Sequence, residues 1–314
     1  MRRLLDEASV RWNEFFHAPC DTRVLAAARI GFASLVLVQW LALLPDVEML
    51  WSESGMLPLD HLEAVAGGFV PTLFSVLPST SAFVWLGYFL LGLHASLLLV
   101  GYRSRFQIIA VLIWLVSFQN RNPLFVNGQD ALLRLIGVFL ALAPLGASFS
   151  LDRRLGRESA VRAPYYPLRF VQLQTAIVLF AAGWWKLRGD DWTSGNALYY
   201  VTRLEGFWGN FPLPEALPSS PSVLRAATYA TLVIELCVPL LIWIPRTRRA
   251  ALVAALLFHA SLGYAMNLFL FEPIMLLGWA SFLQREDVDW LLRALSRRAE
   301  NVGAKVMPTE GEVT

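Results

Sequence analysis

The chain has 314 residues, of which 56% are hydrophobic and only 16% charged, with a mean hydropathy of +0.52. Soluble domains carry about 25% charged residues, so an ordinary soluble fold is excluded and the chain belongs in a bilayer. A net charge of +2 provides no basic excess for nucleic acid, so the expected surroundings are membrane lipid.

Residues 1–20 interleave charges with apolar Leu4, Leu5, Ala8, Trp12, Phe15 and Phe16. That spacing predicts an amphipathic helix on the cytoplasmic membrane surface, not a cleavable signal peptide. From 21 to 284 the apolar residues collect into about eight runs, near 22–44, 82–101, 105–119, 129–147, 168–187, 224–245, 249–266 and 268–283. A spanning helix needs about 20 such residues; the third and eighth runs are short and read as tilted, re-entrant or shielded. Stretches such as LGYFLLGLHASLLLVG are apolar on all sides, unlike the alternation of a barrel strand. The expected fold is all-α, a polytopic membrane bundle of about eight transmembrane helices. Residues 285–300 start acidic, end basic and carry a stripe through Trp290, Leu291, Ala294 and Leu295, as a cytoplasmic surface helix would. Residues 301–314 are polar and read as disordered.

The basic residues fall in alternate loops: Arg2, Arg3 and Arg11; Arg103 and Arg105; Arg153, Arg154, Arg157 and Arg162; Arg246, Arg248 and Arg249; Arg285, Arg293, Arg297 and Arg298. Residues 45–81 hold Asp46, Glu48, Glu53, Asp60 and Glu63 and no Lys or Arg. Basic loops stay in the cytoplasm, so both termini are expected inside, and the end of the fifth run at Lys186 outside.

The polar residues that could carry chemistry collect near that outer face. FQNRNPLFVNGQDALLRL brings Asn120, Arg121, Asn122, Asp130 and Arg134. Asp130 and Arg134, four apart, are expected to pair, either as a functional group or as a helix-capping tie. In LFHASLGYAMN, His259, Gly263 and Asn267 form one polar stripe if the helix continues, the plain alternative being a satisfied interhelical hydrogen bond. His94 and Glu235 sit deeper and read as structural. Cys20 and Cys237 make no CxxC spacing, and four histidines show no HxxxH or HExxH pattern, so no metal site is expected.

In FAAGWWKLRGDDW, Lys186 follows Gly183 by three residues and precedes Trp192. Lysine occurs only here and at Lys305, against 24 arginines. An anchor that snorkels to the interface could equally be arginine. What lysine adds is an amine that can be deprotonated and act as a base toward a phenol-like or hydroquinone-like ligand dissolved in lipid.

NRNPLFVNGQDALLRL, QLQTAIVLFAAGWWKLRGDDWTSGNALYY, and ELCVPLLIWIPRTRR with HASLGYAMNLFLFEPIML resemble the membrane domain of the vitamin K-dependent gamma-carboxylase family, also called the horizontally transferred transmembrane (HTTM) family, over roughly residues 15–285. AGWWKLRGDDW is similar to the carboxylase pattern AGxKKLDxDW, with the second lysine at Lys186, the tryptophan at Trp192, and Trp185 where the first lysine would stand. The resemblance implies that Lys186 deprotonates a vitamin K hydroquinone-like quinol on the exterior side. In that family oxygen then adds, and the strong base formed takes a proton from a glutamate that accepts carbon dioxide. Shorter bacterial relatives include proteins that mature secreted peptide toxins, which makes a small secreted peptide the alternative partner. The expectation is thus a bacterial plasma-membrane protein binding a quinol, with Lys186 and His259 catalytic. Asn120, Arg121, Asn122, Asp130, Arg134, Gly183, Trp192 and Asn267 are expected around the ligand. A non-catalytic peptide-binding protein is the alternative, and a transporter using His94, Glu235 and His259 is the third reading.

Overall fold

The computed structural model describes residues 2–68, 70–209, 211, 220–284 and 286–287, with side chains from Asp6 onward. All but two residues of the expected 285–300 surface helix, and the whole 301–314 tail, lie outside the described residues. The chain divides into two compact units, 1–281 and 282–314, and every element named below belongs to the first.

The structure is nearly all helix: α1 Arg2–His17, α2 Thr22–Ala42, α3 Val47–Trp51, α4 Leu59–Ala66, α5 Ser81–Val100, α6 Ser104–Arg121, α7 Gly128–Ala141, α8 Leu151–Arg154, α9 Tyr166–Lys186, α10 Asp190–Thr193, α11 Ala197–Val201, α12 Pro221–Leu241, α13 Arg248–Ala265 and α14 Phe271–Ala280. Each apolar run contains a helix. Three of them, α2, α5 and α12, are long and apolar enough to cross a membrane. At 1.5 Å per residue, α7 and α14 rise only about 21 and 15 Å, short of a hydrocarbon core of roughly 30 Å. The run expected to reach residue 147 stops as a helix at Ala141. Pro144 is the reason, since proline cannot donate to the helix and steers its predecessor away from helical geometry.

One small departure from the all-helical expectation is a ribbon in which β1, Pro19–Asp21, pairs antiparallel with β2, Arg162–Pro164. Hydropathy cannot reveal a strand of three residues. The ribbon places Asp21 where its side chain accepts from the Arg23 amide at 2.9 Å, capping α2.

α5 is the spine of one half of the bundle, packed by α2 on one side and α6 on another. Two glycines let it be approached closely. A Cβ at Gly92 would lie 2.5 Å from the Trp40 ring, and one at Gly87 equally close to the Trp114 ring, so both indoles are seated against bare backbone. Trp40 Nε1 donates to the Tyr88 carbonyl at 2.8 Å, while the Tyr88 hydroxyl donates back to the Trp40 carbonyl. In the other half α9 packs on α12, and α13 on α14.

The stripe of α1 divides between two partners. Phe15 and Phe16 are half-buried against α9, where the Arg169 guanidinium donates to the Phe15 carbonyl at 3.0 Å and lies 4.4 Å from the Phe15 ring. Trp12 remains 63% exposed, as a residue facing lipid headgroups would be.

Arg29, fully buried in α2, donates to the carbonyls of Leu145 and Phe149, each at 2.6 Å. Nearby, Asp152 accepts from the backbone amides of Arg103 at 2.7 Å and Ser104 at 2.9 Å. Its carboxylate therefore sits at the N-terminus of α6, where the helix leaves unpaired amides and a partial positive charge.

Candidate functional site

The site grows from the close approach of α9 and α12. At Gly183 an added Cβ would fall 2.9 Å from Glu235 Cβ and 3.1 Å from Leu236 Cγ, so glycine is what allows this crossing. Lys186, three residues on, shares that face. Its Nζ donates to Glu235 Oε1 at 2.5 Å, with the lysine side chain 26% exposed and the glutamate 4%. Past the turn at Gly189, α10 returns Trp192 so that its ring centroid lies 5.1 Å from the amine, a cation–π contact. Trp185 points away, 65% exposed, under the Arg188 guanidinium.

Two further helices add a second pair. His259 of α13 and Glu272 of α14 are almost fully buried, with Nδ1 and Oε2 2.6 Å apart. Gly263, one turn beyond His259, brings backbone against the same glutamate: a Cβ there would lie 3.3 Å from Glu272 Cβ. The helices of the second pair pack on those of the first, α13 on α12 and α14 on α9. Four helices thus contribute two buried pairs, Lys186–Glu235 and His259–Glu272. Among the described residues, Glu235 Oε2, His259 Nε2 and Glu272 Oε1 are buried without a hydrogen-bond partner. Buried polar atoms are normally paired, so three left open in these two pairs are unusual.

The other expected site residues go elsewhere. Asp130 does not form an ion pair with Arg134 among the described residues. Its Oδ1 accepts from Gln39 Nε2 at 2.7 Å, and its Oδ2 accepts from the Asn127 amide at 3.0 Å in a capping box that starts α7. The cap outcompetes the i, i+4 pair because two donors converge on one carboxylate. Arg134 is only half-buried. Asn267 leaves the stripe because α13 ends at Ala265 and Met266 is extended; it is exposed, with its amide donating to the Phe207 carbonyl at 2.8 Å. Asn120, Arg121 and Asn122 tie down the segment from α3 to α5: they donate to the carbonyls of Pro71 at 2.7 Å, Leu57 at 2.8 Å, and Leu50 at 2.8 Å. Gln129 Oε1 accepts from the Leu270 amide at 3.1 Å, so the Asp130 network adjoins the helix bearing Glu272 without joining the Lys186 pair.

Sequence reasoning set Glu235 aside as structural and missed Glu272. The available signal was a carboxylate in LFLFEPIML, one residue before a proline that fits a helix's first turn. No group of three or more His, Cys, Asp or Glu is placed to hold a metal among the described residues.

Against known proteins, the chain is 26% identical over 189 residues to the Bacillus subtilis (strain 168) protein named "Uncharacterized protein YitO", covering 57% of this chain and 60% of that one. The chain therefore spans less than two thirds of that relative. No solved structure matches. The HTTM domain model matches residues 17–290, which takes in both the Lys186–Glu235 and the His259–Glu272 pairs, and the chain belongs to the HTTM family.

Proposed function

We propose that this is a gamma-carboxylase-like membrane protein that binds a quinol near the Lys186 end of α9 and deprotonates it with Lys186. The observation that carries the reading is the Lys186–Glu235 pair beside Trp192 in otherwise apolar helices. The donor set suits such a ligand: the unpartnered Glu235 Oε2 can accept from a hydroxyl, and Trp192 presents an aromatic face. When bound, the quinol supplies an acidic hydroxyl and a ring that can be oxidised. The chain's own part is to receive one proton. When its proton passes to Glu235, the resting ion pair becomes a neutral amine beside a neutral acid. Nζ then takes the hydroxyl proton, and the resulting ammonium stands next to the phenolate it has made. His259 and Glu272, on helices packed against α12 and α9, offer the next place for a proton to go.

Lys186→Arg tests this. Guanidinium keeps the charge and the ion pair but stays protonated at any workable pH. Quinol oxidation by purified protein in detergent is expected to fall by at least about 10²-fold, the usual scale for a general base, with expression and membrane insertion unchanged. Equal turnover of wild type and variant would reduce the pair to an interhelical tie.

The reading includes eight membrane helices with both termini cytoplasmic, which puts Lys186 on the exterior side. In a Cys237→Ser background, Ser75→Cys and Thr80→Cys are expected to react in intact cells with an impermeant thiol reagent, and Ser159→Cys is not. All three positions are exposed. Cys20 stays silent, because burial, aided by Asp21, pushes its thiol up to about 11. Labelling at 159 with silence at 75 and 80 would invert the orientation.

A further inference from the structure

Where α2 begins and α5 ends, the turn leading into α8 closes an open groove of about 810 Å³, within the roughly 300–1,000 Å³ of small-ligand sites. Both α2 and α5 are long and apolar enough to cross a membrane. The groove is lined by Thr22, the first residue of α2, and Val100, the last of α5, so it lies at the level where hydrocarbon gives way to headgroups.

Its walls differ in character. One is basic: Arg23, Arg153 and Arg154 line the groove against a single carboxylate, Asp21. Arg23 already engages that carboxylate, donating from Nε to Oδ2 at 2.8 Å. Arg153 Nη1 donates to the Ala147 carbonyl at 2.8 Å and the Ala160 carbonyl at 3.4 Å, which pins the guanidinium across the turn and leaves its other donors over. The Arg154 side chain is exposed and makes no hydrogen bond or ion pair among the described residues. The other wall is apolar and equally open, with Val100, Phe149 and Leu151 all exposed. Phe149 stands there on a left-handed backbone, φ +45°, uncommon for a bulky residue, and the buried Arg29 holds its carbonyl at 2.6 Å.

We propose that this groove binds an anionic phospholipid, whose phosphate is taken by Arg153 and Arg154 beside Arg23 and whose acyl chains run along Val100, Phe149 and Leu151. Free phosphate would leave the apolar wall bare, and a zwitterionic lipid would bring its own cation against the arginines. The ribbon that carries Asp21 pairs with the strand just before α9, so the groove lies where α9 begins. Lys186 stands at the other end of that helix, about 30 Å away along its axis, so the lipid site is independent of the quinol chemistry and stands or falls separately.

Binding of radiolabelled phosphatidylglycerol to the immobilised full chain in detergent tests it, with unlabelled phosphatidylglycerol, phosphatidylcholine, diacylglycerol and inorganic phosphate as competitors. Saturable binding is expected, with phosphatidylcholine and diacylglycerol each at least about tenfold weaker and millimolar phosphate displacing little. Arg154→Gln, which breaks no internal bond, should weaken binding about fivefold, the usual effect of one basic residue beside anionic lipid. Arg246→Gln removes an equal charge from an exposed residue that does not line the groove, and should leave binding unchanged. Phe149→Asn, a residue that tolerates the left-handed turn, should weaken binding several-fold by removing the apolar wall. Equal competition by phosphatidylcholine, equal effects of Arg154→Gln and Arg246→Gln, indifference to Phe149→Asn, displacement by millimolar phosphate, or no saturable binding would each overturn the proposal.

Discussion

Arg29→Met is expected to destabilise the protein by about 3–5 kcal/mol. Methionine roughly fills the volume, but it leaves the buried carbonyl of Leu145 and the part-buried carbonyl of Phe149 without their donors, at about 1–3 kcal/mol each, and empties the shell that held a charge. At roughly 2–4 °C per kcal/mol for a chain of this size class, Tm in mild detergent should fall by about 6–20 °C. Arg29→Lys should recover only a fraction, because one ammonium cannot reach two diverging carbonyls along the guanidinium's fixed fork. A methionine variant melting within about 2 °C of wild type would mean that the segment after α7 is held by something other than this arginine.

The second large effect concerns Lys186 and Glu235 as a pair. Lys186→Met strands the Glu235 carboxylate in a site where its side chain is only 4% exposed, and breaking a buried pair from one side costs about 3–5 kcal/mol. Removing both, as Lys186→Met with Glu235→Leu, should return stability to within about 1 kcal/mol of wild type, since replacing a whole buried pair by apolar groups is often neutral or better. A melting series over the four proteins reads the coupling directly. Additive losses would show that the two side chains do not depend on each other. A double variant that is stable but inert toward quinol would separate the chemistry from the scaffold.

What could be read in advance followed from the range of each interaction. Hydropathy is local, and every apolar run became a helix, from Thr22 in α2 to Ala280 in α14. Lengths failed where a single residue intervened, as Pro144 does after α7. The Lys186–Gly183 face was legible because helical spacing fixes it. That its acceptor would be Glu235 was not, because the partner lies 49 residues on, and no periodicity relates two separate helices. Asp130 shows the opposite failure. The i, i+4 rule suggested Arg134, but the capping geometry and Gln39 from α2 took the carboxylate instead. The stripe from His259 held for one turn and then ended with the helix, where Met266 turns extended.

The position of Arg29 has a consequence for how the molecule is made. The carbonyl of Leu145 that receives its guanidinium lies 116 residues downstream. At about 5–20 residues per second, roughly 6–23 seconds of synthesis separate the arginine from its acceptor. During that interval α2 carries a charge whose insertion at a helix centre costs about 2.5–3.5 kcal/mol. Because Arg29 is only two turns from the start of α2, its side chain can reach the interface in the meantime. The acceptors of Arg29 in α2 thus exist only after α5, α6 and α7 have been translated.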